Sequence, residues 1–254
     1  MKFTSFLLAL LNRDKKCICL ITYKPNLIWL SFLNEFKSYD IFVIVDDNSI
    51  DYQKIYKTHY PNINFIQIAN QECEDNGYVN VNFLMNKNVT GWEKALYFFS
   101  RKNNNYAKVW FIEDDVFFHS EKTLATIDKQ FPDSDILSRN CMQREDCRSW
   151  KHWKDISINF NPPYFMSMVC ATRISKNLLF YINQYAITHN TLFFLEALFP
   201  TLARKYRLLY DCPKELDSVV WRRVWKENEI NSKNIYHPEK DINLHFYYRD
   251  TNAI

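Results

Sequence analysis

Two short runs of acidic residues each follow directly after an apolar segment of this sequence. Residues 41–45 (IFVIV) precede one run and residues 109–112 (VWFI) precede the other; the runs are Asp46 with Asp47, and Glu113 with Asp114 and Asp115. Carboxylates held next to apolar residues lose hydration and repel one another, and a bound divalent cation offsets both costs. Mg²⁺ and Mn²⁺ prefer oxygen ligands of this kind. The two runs therefore predict a site for Mg²⁺ or Mn²⁺.

Within the triplet, neighbouring side chains should point in opposite directions. In an extended segment Glu113 and Asp115 lie on one side and Asp114 lies on the other. One side could then hold the cation while Asp114 bonds a ligand hydroxyl or a basic residue. The competing interpretation is that both acidic runs are polar strand ends that form turns, as the Asp-Asn-Ser sequence after Asp46 suggests.

The first half of the chain predicts the elements that would position these acids. Strands are expected at residues 16–23, 41–45, 62–68 and 109–112, and helical spacing is found at 27–36 and 91–101. Strands that alternate with helices are typical of a mainly parallel α/β sheet. Ligands of such sheets bind outside the carboxyl ends of the strands, so both acidic runs could face one crevice.

The second half is less regular. Helices are predicted at residues 121–131, 175–185 (entered by a serine cap) and 191–198, the last interrupted near Pro200, and strands at 135–138 and 164–171. No repeat or flexible linker is found. The 254 residues are therefore expected to form a single domain.

The composition of the chain excludes several classes of function. The chain is 47% hydrophobic and 24% charged, as expected of a globular protein, and its net charge of +3 is too balanced for a dedicated nucleic-acid binder. Its two glycines, Gly77 and Gly91, cannot form a Walker loop or a Gly-x-Gly-x-x-Gly fingerprint. A bound diphosphate would therefore have to be met by a metal ion, by Lys or Arg, or by a helix end.

The cysteines and the N-terminus bear on the cellular compartment. The seven cysteines show no Cys-x-x-Cys pair or zinc spacing, and we expect them to be reduced. The apolar run at residues 3–11 resembles a signal sequence but lacks a small-residue cleavage pattern and is shorter than the ~20 residues that span a bilayer. We expect a packed amphipathic helix there, no transmembrane segment and a cytoplasmic protein; a secretory or membrane-peripheral location is the alternative.

Two further groups in the second half could take part in chemistry. Glu196 lies among apolar residues (FFLEALF, 193–199), where removal from water raises the pKa of a carboxyl group, as a general base requires; the alternative is a helix that exposes Glu196 on one face. Trp150 and Trp153, near Arg144 and Arg148, could stack on acceptor sugars, although aromatic residues more often serve as ordinary packing.

The segments VIVDDNS (43–49) and FIEDDV (111–116) resemble the nucleotide-binding acid and the DxD-type motif of GT-A glycosyltransferases. The likeness follows most of the chain in order. It implies a GT-A fold, in which a Rossmann-like, nucleotide-sugar-binding sheet is flanked by helices and joined to a less regular acceptor-binding half. The two halves would comprise about residues 15–118 and about residues 119–254 of one domain, 1–254.

The resemblance also implies residue roles on the sugar-donor side. The residues that would border the base and ribose are Thr22, Tyr23, Asp46 and Asp47. Glu113, Asp114 and Asp115 would engage ribose and cation, and because the triplet reads Glu-Asp-Asp, Asp115 is the first choice as metal ligand. The helix start GWEK (91–94) resembles the segment that presents a basic group to the donor, here Lys94.

In the second half, FLEALFPTL (194–202) resembles the acid-bearing helix of inverting members of the family, which supports Glu196 as the base. His237, in YHPEK (236–240), is like the C-terminal histidine that completes the cation site, with His245 as the alternative. Imidazole suits Mn²⁺ as a third ligand. Lys240 would then lie close to a phosphate oxygen.

The implied reaction transfers a sugar from a nucleotide-diphosphate sugar, a UDP-sugar, to a hydroxyl of a glycan or glycoconjugate, with inversion. Glu196 would deprotonate the acceptor while the cation and Lys240 stabilise the departing diphosphate. Two alternatives stay open: a nucleotidyltransferase, although such enzymes usually have a glycine-rich N-terminal loop that is missing here, and a sugar-binding module whose catalysis has lapsed. No particular oligomeric state is predicted.

Overall fold

The computed structural model describes residues 15–80 and 88–250. The apolar run at 3–11, with its predicted helix, lies outside these residues. In chain order the first half contains β1 (Lys16–Thr22), α1 (Leu27–Asn34), β2 (Asp40–Val45), α2 (Tyr52–Tyr56), β3 (Ile63–Gln67), α3 (Asn70–Glu74), α4 (Gly91–Tyr97) and β4 (Lys108–Glu113). The second half contains β5 (Phe117–Phe118), α5 (Glu121–Gln130), β6 (Ile136–Leu137), β7 (Met142–Gln143), β8 (Phe165–Met166), β9 (Ala171–Ser175), α6 (Lys176–His189), α7 (Leu195–Lys205), β10 (Tyr210–Asp211), β11 (Ile235–Tyr236) and α8 (Ile242–Asp250).

Seven of these strands form one twisted sheet in the order β10-β6-β9-β4-β1-β2-β3. Strand β1 pairs in parallel with both β2 and β4, and β9 runs antiparallel to β4 and β6. Two small ribbons, β5 with β11 and β7 with β8, lie outside the main sheet. The predicted α/β sheet flanked by helices is confirmed.

The core lies on both faces of the sheet, which explains why β1 is apolar throughout. Cys17, Cys19 and Ile21 pack into one buried cluster, and Ile18 and Leu20 pack into another on the opposite face. Alternating side chains of a strand covered on both faces must all be apolar. The same reasoning accounts for β2 and β4, whose apolar runs made them recognisable in the sequence.

A close contact joins helix α4 to strand β1. Gly91 is the first residue of α4, and a Cβ atom there would lie 2.7 Å from Cγ2 of Ile21. The absence of a side chain at this position lets the helix start lie directly against the strand. Thr90 caps the helix in a reciprocal arrangement with Glu93, whose Oε2 accepts a 2.7 Å hydrogen bond from the Thr90 N–H. After Tyr97 the helix continues as a π-helical turn, Phe98–Lys102, so the helix predicted at 91–101 is longer by one residue and irregular in its second half.

The strand predicted at 164–171 is wrong in position. Residues Phe165–Met166 form the short strand β8, whereas the main-sheet strand β9 begins at Ala171 and ends at Ser175. The pattern of β9 was hidden by Arg173, a charge in the middle of the strand. The Arg173 side chain is buried because its Nη1 donates to Oδ1 of Asp128 at 2.6 Å.

The helix predicted at 191–198 is also displaced. Helix α7 begins at Leu195 and continues through Pro200 to Lys205. A proline leaves the carbonyl four residues earlier without its helical partner, and here that carbonyl belongs to Glu196. It instead accepts a 2.8 Å hydrogen bond from the N–H of Ser167. The serine cap predicted for the preceding helix is confirmed, since Ser175 Oγ accepts from the N–H of Leu178.

Two expectations concern the chain as a whole. All seven cysteines are free, as predicted. Among the described residues, no helix has both the length and the apolar character that crossing a membrane would require.

Candidate functional site

A cavity of about 1160 Å³ lies at the edge of the sheet where β4 ends. Its lining includes five of the residues singled out in the sequence, which come from three separate segments: Glu113, Asp115, Glu196, His237 and Lys240. The parallel strands converge at this edge, and β9 enters the sheet beside the exit of β4. The topology therefore brings together acids, a histidine and a lysine that are far apart in the chain.

The acidic triplet divides as the alternation of an extended chain predicts. Glu113 and Asp115 face the cavity. Asp114 points away from them and accepts a short hydrogen bond from the Thr22 hydroxyl, while its carbonyl accepts from Nε1 of Trp29 at 2.9 Å. Asp114 thus joins the end of β4 to β1 and α1, a structural arrangement in which its carboxylate is already bonded.

Glu113 is held by two neighbours at the cavity wall. Its Oε1 accepts a 2.6 Å hydrogen bond from Nε1 of Trp92, which stands in the first turn of α4. The Cys170 thiol also bonds to this carboxylate. Burial and the nearby charge of Asp115 raise the pKa of Glu113, so a cation at this point would remove an existing electrostatic cost.

His237 faces these carboxylates from the C-terminal part of the chain. Its Nε2 lies 3.3 Å from Oδ1 of Asp115 and 3.8 Å from Oε2 of Glu113. Its Nδ1 lies 2.7 Å from the carbonyl oxygen of Val220. A carbonyl only accepts, so Nδ1 carries the proton, and in the neutral ring Nε2 presents its lone pair to the two carboxylates. Groups that all accept hydrogen bonds surround one point, where either a proton or a metal ion must lie.

The charge state of His237 follows from the same geometry. Burial disfavours the imidazolium, but hydrogen bonding and attraction to Asp115, together with the charge of Glu113, exceed that effect and raise the pKa of His237. Ligand atoms of Glu113, Cys170 and His237 all lie within 4.8 Å of one another. The oxygen and nitrogen atoms here suit Mn²⁺ and related divalent ions, so the donor set fits a cation.

Glu196 is a buried carboxylate with one oxygen that lacks a partner. Its side chain lines the cavity, the residue is 5% exposed, and Oε2 has no hydrogen bond within the described part of the chain. Burial, together with the charge of Glu113, raises the pKa of Glu196 to about 8. The alternative of an exposed helix face is therefore excluded. A carboxyl group of this pKa is largely protonated at neutral pH and, once ionised, is a stronger proton acceptor than an ordinary carboxylate.

The acids after β2 lie apart from the cavity. Asp46 forms an ion pair with the fully buried Lys94, whose Nζ lies 2.6 Å from Oδ1 of Asp46 and donates to its carbonyl at 2.8 Å. Asp47 accepts from the Tyr52 hydroxyl at 2.6 Å and from the N–H and hydroxyl of Ser49. The bond to Tyr52, followed by those to Ser49, lowers the pKa of Asp47 to about 2.

Lys94 and Asp47 are thus held by protein groups, and neither is among the described residues that line the cavity. Thr22, which is buried, and Tyr23, which is 58% exposed at the end of β1, are also not among the described residues that line the cavity. Contact of these residues with a nucleotide stays a prediction.

The two candidate metal histidines occupy different environments. Whereas His237 faces the cavity, His245 is fully buried in α8, and its Nε2 donates to the carbonyl of Glu239 at 2.8 Å. Its ring lies against Trp29 and Phe117 at 5.6 Å and 5.5 Å. Burial, and then the charge of Arg249, lowers the pKa of His245 to about 4. The structure brings His237 to the acids and keeps His245 in the packing behind them.

The aromatic residues predicted to bind an acceptor lie behind the cavity wall. Trp153 is buried and donates from Nε1 to the carbonyl of Cys147 at 3.1 Å, and Trp150 packs on it with ring centroids 4.8 Å apart. Neither is among the described lining residues, which instead include Lys151, His152, Phe194 and Trp221. Trp150 stacks on Phe194 at 5.8 Å, so it supports the wall from behind.

His152 is the polar group of this wall. The residue is 6% exposed, and neither ring nitrogen has a hydrogen-bond partner within residues 15–80 and 88–250. Its ring lies 4.6 Å from that of Phe194 and 6.2 Å from that of Trp221. Lys151 Nζ lies 5.3 Å from the Trp221 ring centroid. Together these side chains form an aromatic wall of the cavity, in which both ring nitrogens of His152 are buried without a hydrogen-bond partner among the described residues.

Three residues of the site were missed in the sequence. Cys170 carried no zinc-like spacing, His152 showed no ligand pattern, and Trp221 lies in a segment without periodicity. Each reaches the cavity through the path of a loop, which no local pattern encodes. One signal was available for Trp221: it is followed by Arg222 and Arg223, and an aromatic residue beside exposed cations suits an anionic or polar ligand.

No protein-family model matches this chain, and no curated protein matches it. Among solved structures it is similar to 4-diphosphocytidyl-2C-methyl-D-erythritolsynthase from Anaerococcus prevotii DSM 20548, with a TM-score of 0.46, 11% identity and coverage of 77% of this chain and 83% of that chain. It is also similar to mouse Xyloside xylosyltransferase 1 in its apo form, with a TM-score of 0.37, 11% identity and coverage of 79% and 85%. At these values the likeness says nothing about substrate or reaction.

Proposed function

We propose that this chain is a metal-dependent glycosyltransferase of the GT-A type that transfers a sugar from a UDP-sugar to an acceptor hydroxyl with inversion. One observation supports it most: a buried carboxylate, Glu196, faces the same cavity as the convergent acceptors of Glu113, Asp115 and His237. A base for the acceptor and a cation site for a diphosphate are the two requirements of this reaction.

The cation would be held by Asp115, Glu113 and His237, and when bound it supplies positive charge to the departing diphosphate. Lys240 is exposed at the cavity rim, one residue after Glu239, whose N–H donates to the carbonyl of Asp115 at 2.7 Å. This short connection keeps Lys240 near the cation ligands, where its ammonium would bind a phosphate oxygen.

Glu196 takes the proton. As the acceptor oxygen forms its bond to the anomeric carbon, the bond from that carbon to the diphosphate oxygen breaks, and the hydroxyl proton passes to the carboxylate of Glu196. Attack from the face opposite the leaving group inverts the configuration. The aromatic wall of Phe194 and Trp221 would orient the acceptor ring, and Trp150 and Trp153 would hold that wall in place.

The two halves of the chain divide these tasks. Residues of about 15–118 would bind the nucleotide, through Thr22, Tyr23, Asp46 and Asp47 at the ends of β1 and β2. Asp114 and Lys94 would hold these strand ends in position. Residues of about 119–254 provide the base and the acceptor wall. Within this proposal Lys94 acts by fixing Asp46, since its ammonium is already paired there.

The test is a panel of nucleotide sugars with Mn²⁺, in which binding and nucleoside diphosphate release are measured for wild type, Asp115→Ala and Glu196→Gln. Asp133→Ala and Glu35→Gln are matched controls, because both residues are exposed and neither lines the cavity. We expect Asp115→Ala to lose donor binding, and Glu196→Gln to bind donor but lose transfer.

Four outcomes would count against the proposal. If no nucleotide sugar binds, or if Asp115→Ala equals Asp133→Ala, the proposal fails. Release of pyrophosphate from a nucleoside triphosphate and a sugar phosphate would identify a nucleotidyltransferase instead. Donor binding without transfer to any acceptor would indicate a sugar-binding module.

A further inference from the structure

We infer that Cys170 is a ligand of the cation site, and that the site therefore takes a thiophilic divalent ion such as Zn²⁺ or Co²⁺ in preference to Mg²⁺. This inference rests on the proposed function only for the existence of a cation site. The residue stands directly before β9, on the chain segment that enters the sheet beside the exit of β4. Its main chain is fixed there, since its carbonyl accepts a 2.9 Å hydrogen bond from the N–H of Glu113.

The Cys170 side chain points at the same place as the other ligands. Its sulfur belongs to the cluster in which ligand atoms of Glu113, Cys170 and His237 lie within 4.8 Å of one another. In a tetrahedral zinc site, bond lengths of ~2.3 Å to sulfur and ~2.0 Å to nitrogen place neighbouring ligand atoms roughly 3.5 Å apart. Since the present separations are at most 4.8 Å, the ligand atoms would have to approach one another by up to about 1.3 Å to bind one ion.

Independent observations indicate that a ligand belongs here. When the His237 ring is neutral, the lone pair of Nε2 faces carboxylate oxygens of Asp115 and Glu113, so that either a proton or a cation is required between these acceptors. Glu196 lines the same cavity at 5% exposure and has one buried oxygen, Oε2, without a hydrogen-bond partner among the described residues, and its charge acts on both Glu113 and Cys170.

Cation identity follows from the chemistry of the donor set. Two carboxylates and an imidazole accommodate several divalent ions, but a thiolate favours softer ions and gives nothing to Mg²⁺, which prefers oxygen in octahedral sites. Binding exchanges the thiol proton for the metal: the S–H bond breaks, a sulfur–metal bond forms, and the proton leaves to the buffer. The site as built from these residues selects for a metal that accepts sulfur.

The experiment is a titration of the full chain with Co²⁺ alone, followed by near-ultraviolet and visible absorption, and with Zn²⁺ and Mg²⁺ by calorimetry. For wild type we expect a thiolate-to-cobalt charge-transfer band at one equivalent. In Cys170→Ser and Cys170→Ala this band should vanish, and Zn²⁺ affinity should fall by at least the ~10–100-fold that loss of even an outer-shell partner costs. Mg²⁺ affinity should not change.

Cys212→Ser is the matched control, because this exposed thiol lies outside the cluster and would bind cobalt adventitiously. If the band depends on Cys212, or survives in a folded Cys170 variant, the inference is wrong. Cobalt d–d absorption that requires Asp115 but shows no sulfur band would also overturn it, while leaving the cation site and the proposed function intact. Failure of every divalent ion to bind would overturn both.

Discussion

The N–H of Glu239 donates a 2.7 Å hydrogen bond to the carbonyl of Asp115, which fixes the C-terminal segment against the end of β4. The segment carrying His237 is thus held to the acid that its imidazole faces. The neighbouring ribbon of β11 and β5 strengthens this connection, since Tyr236 pairs with Phe117. Main-chain bonds therefore set the spacing of side chains 122 positions apart in the sequence, from Asp115 to His237.

The two histidines near this connection should respond differently to substitution. His237→Gln should lower Mn²⁺ or Zn²⁺ affinity by at least ~10-fold, because it removes a nitrogen directed at the cation site. His245→Gln should leave affinity unchanged and lower the free energy of unfolding by about 1–3 kcal/mol, since His245 is buried and bonds a carbonyl. Calorimetric metal titration and urea unfolding measure the two effects. The reverse pattern would assign the ligand to His245.

Glu196 should make the metal-free protein less stable as the pH rises. Its folded pKa of about 8 lies above the ordinary value of 4.5, so the folded state binds the proton more tightly than the unfolded state. Its stabilising contribution is complete below about pH 4.5 and is lost as the pH rises through about 8.

Glu196→Gln lacks this titration. We expect the variant to match wild type near pH 5 and to exceed its free energy of unfolding by roughly 1–3 kcal/mol near pH 9, below the ceiling of ~5 kcal/mol that 1.36 kcal/mol per pKa unit allows. Urea unfolding in EDTA across this range measures the difference, with Glu35→Gln as control. Parallel curves for Glu196→Gln and wild type would show that Glu196 titrates normally.

The aromatic wall of Phe194 and Trp221 and the residues packed behind it should respond differently to substitution. Trp221→Ala should raise the acceptor KM with little change in the free energy of unfolding, because the ring is 48% exposed at the cavity. Trp153→Ala should lower the free energy of unfolding by about 3–5 kcal/mol, since a buried tryptophan is removed. Steady-state kinetics and thermal unfolding test the pair. An acceptor effect of Trp153→Ala without loss of stability would restore Trp153 as a direct contact.

Substitution of Lys94 should lower the stability of the fold and leave UDP-sugar binding unaffected. Its side chain is fully buried against Asp46, and removal of one member of a buried ion pair costs about 3–5 kcal/mol. Lys94→Met should therefore lower the free energy of unfolding by this amount. Lys102→Met is the comparison: Lys102 pairs with Glu72 but is 42% exposed, and such pairs contribute about 0–1 kcal/mol. If Lys94→Met instead weakens UDP-sugar binding at unchanged stability, Lys94 contacts the donor.

Strands β1, β2 and β4 could be predicted because apolar residues lie on both of their faces, and β3 because polar and apolar residues alternate along residues 62–68. Strand β9 could not, since Arg173 is tolerated only through its ion pair with Asp128, 45 residues earlier. The start of α7 was misplaced for a related reason. Pro200 marks a helix end in sequence, but the hydrogen bond from Ser167 to Glu196 satisfies the carbonyl that the proline leaves.

Some residues of the candidate site could likewise be predicted from the sequence, and others could not. Glu113 and Asp115 could be placed at the carboxyl edge of the sheet because β4 ends there, whereas Asp46 and Asp47, after β2, are not among the described residues that line the cavity. Glu196 stood out because its neighbours are apolar. Cys170 and Trp221 could not be assigned, because loops without periodicity carry them to the cavity. Lys94 was expected to meet a ligand, and only the packing of α4 on β1 shows its ammonium directed inward.

The reversal of β9 has a consequence for how this protein could be altered. Strand β6 ends, and β9 begins, at the same edge of the sheet as the exit of β4, so residues 138–170 leave the sheet and return to it at the cavity. This excursion carries Lys151 and His152 and returns at Cys170. Because Cys147 and Trp153 of this excursion pack into the main core, the whole segment cannot be exchanged without loss of stability. Substitution of its cavity-lining residue Lys151 should instead alter what the cavity binds while the sheet that carries Glu113 keeps its packing.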